Sequence, residues 1–428
     1  MQQFWEFFSF ADANIRYVTL GSVLLASSSA VVGCFTLLRK RALVGDAVAH
    51  SVLPGVCLAF MLSGTKNPFI LLLGAFITGW LSLVVIDYIT SRSRIKEDTA
   101  IGLVLSVFFG IGILLLTSIQ HSGNAAQSGL DKFLFGKAAS LVGADLITFS
   151  TVAVLLLLAV IIFYKELTLL CFDEAYAKTI GFPVRGLELL LTTLTVFAVV
   201  VGIQAVGVVL MAAMLITPAA AARFWTENLK VMLVLAALMG AFSGIAGAFV
   251  SYTAPAMPTG PWIVLIISMI AILSFALAPG RGWVARLLRQ RRNKTRILEE
   301  NLLKLLYQLG ELNQDYTTSR SLAELLERRR IPKGEALKGL KKLKRQGYVK
   351  DQDKRWLLTT EGEKRGKRVV RLHRLWELYL TQYLNLASDH VHEDAETIEH
   401  IITPELEKRL LEELNYPDLD PHSARIPT

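Results

Sequence analysis

Nine stretches of about 20 mainly apolar residues, each long enough to cross the hydrocarbon core of a bilayer, fill the first 280 residues of this chain. They lie near 15–38, 42–63, 68–90, 99–119, 141–164, 187–203, 206–222, 230–252 and 262–278. The sixth and seventh run together through Gly202, Gln204 and Gly207, and a single broken or re-entrant segment there would make eight spans. With 53% hydrophobic residues and a mean hydropathy of +0.46, the chain carries more apolar surface than a soluble core can bury, so lipid must solvate most of it. The pattern stops at Pro279-Gly280-Arg281-Gly282, and dense Lys, Arg, Glu and Asp clusters follow. The predicted organisation is a transmembrane domain over 1–280, a basic linker over 281–295 and polar domains over 296–362 and 363–428.

Positive charge in the short loops sets the orientation. With the N-terminus outside, the inner loops hold Arg39, Lys40, Arg41, Arg92, Arg94, Lys96, Lys165, Lys178, Arg185, Arg223 and Lys230. The outer segments hold only Arg16, Lys66, Lys132 and Lys137. An odd number of spans then places the polar C-terminal region in the cytoplasm. No cleavable signal is expected, because the N-terminus lacks a basic start and a small-residue cleavage site. Cys34, Cys57 and Cys171 form no CxxC pair, so neither a disulfide framework nor a zinc knuckle is indicated.

Ionisable groups within spans are the functional candidates, since hydrocarbon tolerates them only beside a cavity or a partner. In "ALVGDAVAHSVLPGV", Asp46 and His50 stand at i and i+4 on one helical face of the second span, with His50 near the middle of the bilayer. A carboxylate and an imidazole suit a first-row divalent cation such as Mn²⁺, Fe²⁺ or Zn²⁺. The same two residues could equally pair with each other, or with a neighbouring helix, and only hold the bundle together. Pro54 and Gly55 loosen the helix just beyond.

The segment "VGDAVAHSVLPG" resembles the signature of the zinc/manganese/iron ABC-importer permease family, and "AVGVVLMAAMLITPAAAAR" (205–223) resembles its second marked motif. The resemblance spans about 10–280. It implies that Asp46 and His50 pass the metal. It also implies three kinds of partner: an ATP-binding subunit, an extracytoplasmic metal-binding protein, and a second permease chain in a homo- or heterodimer. The loop "CFDEAYAKTIGFP" (171–183), with Asp173, Glu174, Lys178 and Gly181, would then dock on the ATPase; its alternative is an amphipathic connector on the membrane surface. A phosphate-cradling GxxxxGK[ST] loop is missing, "GEKRGKR" (362–368) being one residue short and without Ser or Thr. The chain is therefore expected to be no enzyme, with ATP hydrolysis in a separate subunit.

After a basic helix over 281–296 leaving the membrane, suited to anionic lipid, the pattern predicts helices over 296–309, 321–329 and 333–346 and a hairpin in "YVKDQDKRWLLTTEG". Leu337, Leu340 and Leu343 face a core, while Lys338, Lys341, Lys342 and Arg345 face out. A charge run is usually a solvated face, but three helices and a hairpin make a winged helix whose basic third helix fits a major groove. "RLHRLWELYL" and "HVHEDAETIEHIITPELEKRLLEEL" resemble the dimerisation and metal-sensing helices of the diphtheria-toxin-repressor family of iron- and manganese-dependent regulators. His373 and Glu377 are spaced i, i+4; His392, Glu396, Glu399 and His400 fall at 0, +4, +7 and +8, on one face. Histidine and carboxylate without cysteine suit Mn²⁺ or Fe²⁺ over a structural zinc, with Zn²⁺ also compatible. The resemblance, over about 296–427, implies these six as ligands, with Glu396 where iron-type members carry cysteine. Asn301 and Lys304 replace further ligands, which bears on whether one metal or two are held. The family's optional SH3-like domain is expected to be missing.

The expected fold is thus an all-α polytopic membrane domain of eight or nine helices with a cytoplasmic winged helix-turn-helix domain and a helical dimerisation and metal-sensing segment. The expected function is the inner-membrane permease of a bacterial ABC importer for manganese, iron or zinc, fused to a metal-responsive DNA-binding regulator. The regulator would either be released by proteolysis near 281–296 or gate transport in place. The alternative is a membrane-anchored metal-dependent repressor whose spans no longer transport; a secondary transporter, which would not need the 171–183 loop, ranks behind both.

Overall fold

The computed structural model describes residues 2–65, 67–121, 136, 141–254, 257–383, 402–422 and 424–427. The chain divides into two compact units, Met1–Ala285 and Arg286–Thr428.

The first unit opens with α1 (Gln2–Ser9) and α2 (Ala13–Leu38), the latter started by Asp12, whose side chain accepts the Asn14 N–H. The predicted second span is two helices, α3 (Val44–Ser51) and α4 (Leu53–Ser63), meeting at Val52. Pro54 lies in the first turn of α4, where its missing N–H has no intrahelical partner to lose. Then follow α5 (Pro68–Arg92), α6 (Glu97–His121), α7 (Gly143–Ile162), the short α8 (Tyr164–Phe172) and α9 (Glu174–Thr179), α10 (Val184–Val206), α11 (Val208–Trp225), α12 (Leu229–Thr253) and α13 (Thr259–Leu277). Gly207 separates α10 from α11 at φ 86 and ψ 167, a backbone that only glycine takes readily. The continuous apolar stretch is thus broken at Gly207 into two helices. Among the described residues, eight spans are long and apolar enough to cross a membrane, with α3 and α4 forming one of them, and a shorter apolar helix covers Leu210–Trp225.

Burial sorts these helices into a centre and a rim. The apolar cores of α2, α3–α4 and α10 are 72–78% buried, whereas those of α5, α6, α7, α12 and α13 are only 22–33% buried. Rim side chains such as Leu73, Leu103, Ile147, Leu238 and Ile272 point outward, an apolar belt that only lipid can cover. At the centre, packing relies on small residues that let backbones meet. A Cβ on Gly33 would lie 1.9 Å from the Leu215 carbonyl oxygen, and one on Gly55 would lie 2.1 Å from that of Gly74.

In the second unit the basic stretch and the first predicted helix are one element, α14 (Trp283–Asn313). Arg, Lys, Leu and Gln are all strong helix formers and no proline interrupts them, so the change in composition near 296 does not end the helix. Next come β1 (Arg320–Ser321), α15 (Leu322–Arg328), α16 (Lys333–Arg345), β2 (Val349–Gln352) and β3 (Arg355–Leu358). A capping box of Ser321 and Glu324 starts α15. Asp353 and Lys354 both take positive φ in the two-residue hairpin turn, matching strand twist. The sheet order is β1-β3-β2. Leu302, Leu306, Leu325, Leu340, Leu343, Val349 and Trp356 fill the core, which completes the winged-helix pattern of three helices and a hairpin. Two further helices, α17 (Thr360–Tyr383) and α18 (Pro404–Glu413), follow.

Candidate functional site

Asp46 lies in the first turn of α3 and His50 in the last. Their side chains face each other, His50 Nε2 lying 3.5 Å from Asp46 Oδ1. α3 is wedged among α5, α6, α10 and α11. Gly45 allows the approach to α11, since a Cβ there would meet Leu215 Cδ2 at 2.8 Å. The His50 ring stands edge-on to Phe109 of α6, with centroids 5.0 Å apart. His50 Nδ1 is buried and makes no hydrogen bond. Nε2 is the nitrogen on the Asp46 side, so it and the carboxylate are the donors that could meet one cation. Among the described residues no three His, Cys, Asp or Glu side chains converge as a metal cage. The pair can thus offer a cation one nitrogen and one carboxylate, with the remaining positions left for water or another chain.

The loop ahead of α3 carries two arginines that sequence reading registered only as positive-inside charges. Arg39 Nη1 donates to the Leu170 carbonyl at 3.0 Å and to Glu174 Oε2 at 3.0 Å, and its Nη2 donates to Glu188 Oε1 at 2.6 Å. Arg41 pairs with Asp87 at 3.2 Å and with Glu97 at 3.1 Å. Between these groups and Thr36, Thr192 and Thr195 lies a cavity of about 20 Å³, room for one water molecule. Glu188, at the start of the sixth predicted span, was the available sequence signal, being an acid at a span end with a basic loop elsewhere to meet it.

In the 171–183 loop, Asp173 caps α9 by accepting the Tyr176 N–H at 2.8 Å. Glu174 bonds Lys178 and Arg39, and these two hold its carboxyl below the usual range, Lys178 first. Gly181, at φ 84, closes the helix while the Phe182 N–H reaches back to the Ala177 carbonyl at 3.0 Å. Phe172, Tyr176 and Ile180 stand 59%, 54% and 47% exposed on this polar loop, an apolar patch that the charge pattern had hidden.

In the second unit Lys338, Lys341, Lys342 and Arg345 are all exposed along α16. Lys342 pairs with Glu299 of α14 at 2.6 Å. On α17, His373 and Glu377 are both buried, Nε2 to Oε1 at 3.0 Å. His392, Glu396, Glu399 and His400 lie outside the described residues. Asn301 and Lys304 are buried on α14. Arginine–carboxylate pairs tie the helices: Arg374 forks onto Glu311 at 2.9 and 2.7 Å, Arg365 meets Glu300 at 2.7 Å, and Arg368 joins α17 to Glu407 of α18 at 3.0 Å.

Residues 11–278 match the ABC 3 transport family, and residues 359–428 match the iron dependent repressor, metal binding and dimerisation domain. The manganese transport system membrane protein MntC of Bacillus subtilis is 45% identical over 376 residues, 88% of this chain and 86% of its own. The zinc transport system membrane protein TroC of Treponema pallidum is 46% identical over 283 residues, 66% of this chain and 95% of its own. Among solved structures, PsaBC from Streptococcus pneumoniae in complex with Fab aligns at 34% identity and a TM-score of 0.59, covering 67% of this chain and 99% of that one.

Proposed function

Since the chain belongs to the ABC 3 transport family through residues 11–278, we propose that Asp46 and His50 are the pair over which its metal cargo passes. The chain is an inner-membrane permease of the manganese and zinc ABC transporters, with an iron-dependent-repressor-like domain fused behind it. The observation that carries the Asp46–His50 reading is His50 Nε2 facing the Asp46 carboxylate at 3.5 Å, one turn apart, in a helix at the centre of the bundle. One nitrogen and one carboxylate, with no thiolate, favour Mn²⁺ or Fe²⁺ and also accommodate Zn²⁺; the relatives are named for manganese and for zinc. Asp46 remains partly open, so a second permease chain or water completes the coordination. The orientation is N-terminus outside and C-terminal unit in the cytoplasm, where the 171–183 loop docks an ATP-binding subunit. An extracytoplasmic binding protein delivers the cargo.

In the C-terminal unit His373, Glu377, His392, Glu396, Glu399 and His400 hold a regulatory Mn²⁺ or Fe²⁺. The buried neighbours His373 and Glu377 fit this, being a nitrogen and an oxygen donor side by side. Lys338, Lys341, Lys342 and Arg345 present α16 to DNA for contact with phosphate or a base edge, Lys342 by exchanging its Glu299 partner for the nucleic acid. A metal that binds only one state of this unit shifts its equilibrium toward that state, and thereby its regulatory output.

The test is uptake of isotopically labelled Mn²⁺, Fe²⁺ and Zn²⁺ by cells holding the whole transporter, comparing wild type with Asp46→Ala and His50→Ala. Uptake of one metal that both substitutions abolish, with the protein still in the membrane, supports the reading and names the cargo. Uptake untouched by either makes the pair a structural brace and favours a membrane-anchored regulator.

A further inference from the structure

Arg39, at the end of α2, ties that helix to three consecutive elements, α8, α9 and α10. Its guanidinium reaches the last turn of α8 through the Leu170 carbonyl, the first residue of α9 through Glu174, and α10 through Glu188. The side chain is only 16% exposed, so these contacts are partly shielded from water and gain strength accordingly. Arg39 is itself the C-terminal cap of α2, its N–H bonded to the Phe35 carbonyl at 3.0 Å. Only residues 39–43 separate α2 from α3, and they hold little slack. Lys40 takes φ 62, a left-handed conformation uncommon outside glycine. The Arg41 N–H bonds the Thr36 carbonyl at 3.1 Å, the Val44 N–H bonds the Arg41 carbonyl at 3.2 Å, and the Ala47 N–H bonds the Leu43 carbonyl at 3.0 Å. A displacement of Glu174 is therefore passed by a charged fork and a hydrogen-bonded turn into α3, where Asp46 is the third residue.

We propose that Arg39 is the positioning residue that couples movement of the 171–183 loop to Asp46 and His50. The inference rests on the permease reading and adds to it the physical linkage between the ATPase-docking loop and the metal pair. Arg39 touches neither cargo nor nucleotide. Its function needs a fork: one nitrogen holds the loop while the other holds the transmembrane helix, a geometry that a lysine ammonium cannot reproduce.

The experiment uses the complete transporter in proteoliposomes and reads Mn²⁺ uptake and ATP hydrolysis on the same vesicles. Arg39→Gln is expected to keep hydrolysis within roughly twofold of wild type while metal moved per ATP falls about tenfold, the scale of a typical coupling energy between two sites. Arg39→Lys is expected between the two. Glu174→Gln is expected to lower the same ratio, and the double variant to be no worse than either single, because both cut one connection. Two results would overturn the proposal: an unchanged ratio of metal moved to ATP hydrolysed, or effects of Arg39→Gln and Glu174→Gln that multiply. Wild-type vesicles that hydrolyse ATP yet accumulate none of the three candidate metals would instead overturn the permease reading beneath it.

Discussion

His50 turns one ring nitrogen toward Asp46 at 3.5 Å and keeps the other buried against the bundle without a hydrogen bond. The two residues play unequal parts in packing. Asp46 is the more open, its side chain 42% exposed against 19% for His50. Asp46→Asn, which preserves shape and removes charge, is therefore expected to leave folding and membrane abundance unchanged. It should lower metal uptake by about 100-fold, the upper end of what losing even an outer-sphere partner costs a metal site. Isotope uptake normalised to membrane protein measures this, and unaltered uptake would remove Asp46 from the path.

The close helix crossings yield a contrast between two glycines. At Gly33 a Cβ would collide with the Leu215 backbone at 1.9 Å, so α2 and α11 must separate to admit alanine. Gly33→Ala should cost about 1–3 kcal/mol or more, read as a lower thermal midpoint of the purified protein in detergent. Gly102 of α6 has nothing within 4 Å of its Cβ position. Gly102→Ala should be neutral or stabilising by up to about 1 kcal/mol, since alanine restricts the unfolded chain and favours helix. Equal effects at the two sites would contradict the packing described.

Acid sensitivity in the second unit follows from Asp315 and Glu324. Hydrogen bonds from Thr317 and then Thr318 hold the Asp315 carboxyl down to about 2, and the Ser321 hydroxyl lowers Glu324. A folded-state pKa below the unfolded value means that the unfolded chain binds more protons. The stabilisation is complete above the ordinary carboxylate value of about 4 and drains away as pH falls toward 2. Opening of the segment around β1 and α15 should therefore increase over that window. Asp315→Asn should flatten the dependence, as measured by hydrogen exchange corrected for its intrinsic pH rate. A variant as acid-sensitive as wild type would assign the effect elsewhere.

What could be read in the sequence was what repeats locally. The spans were visible because a run of about 20 apolar residues has few other uses, and the winged helix because its periods change from helical to alternating in order. The Gly207 break was harder, since one left-handed residue inside continuous apolarity barely alters hydropathy; only its φ of 86 separates α10 from α11. The seam at 296 was drawn where composition changes, yet α14 runs through it because propensity, not charge, decides continuity. Asp46 and His50 were legible as a pair one turn apart. The Arg39 fork was not, because Leu170, Glu174 and Glu188 lie 131, 135 and 149 residues away in the chain, and such pairing is created only by folding. The same holds for Lys342, which looked like a free cation on α16 until Glu299 of α14 met it.

The exposed apolar patch on the 171–183 loop supplies the last prediction. Phe172, Tyr176 and Ile180 project from a segment that also carries Asp173, Glu174 and Lys178 and the exposed Phe182. A connector resting on lipid and a docking helix for an ATPase would both expose such a patch, but they respond differently to charge. Aromatic side chains at the centre of an interface commonly carry about 2 kcal/mol or more of its binding energy. Tyr176→Asp should therefore release the ATP-binding subunit on size-exclusion chromatography, while the permease remains folded and membrane-inserted. The Asp173 cap, which uses the Tyr176 backbone N–H, and the left-handed Gly181 fix α9 from both ends without the Tyr176 side chain, so the loop itself should keep its shape. Retention of a full complement of ATPase by the variant would mean that the patch lies on lipid and that docking occurs elsewhere on the cytoplasmic face.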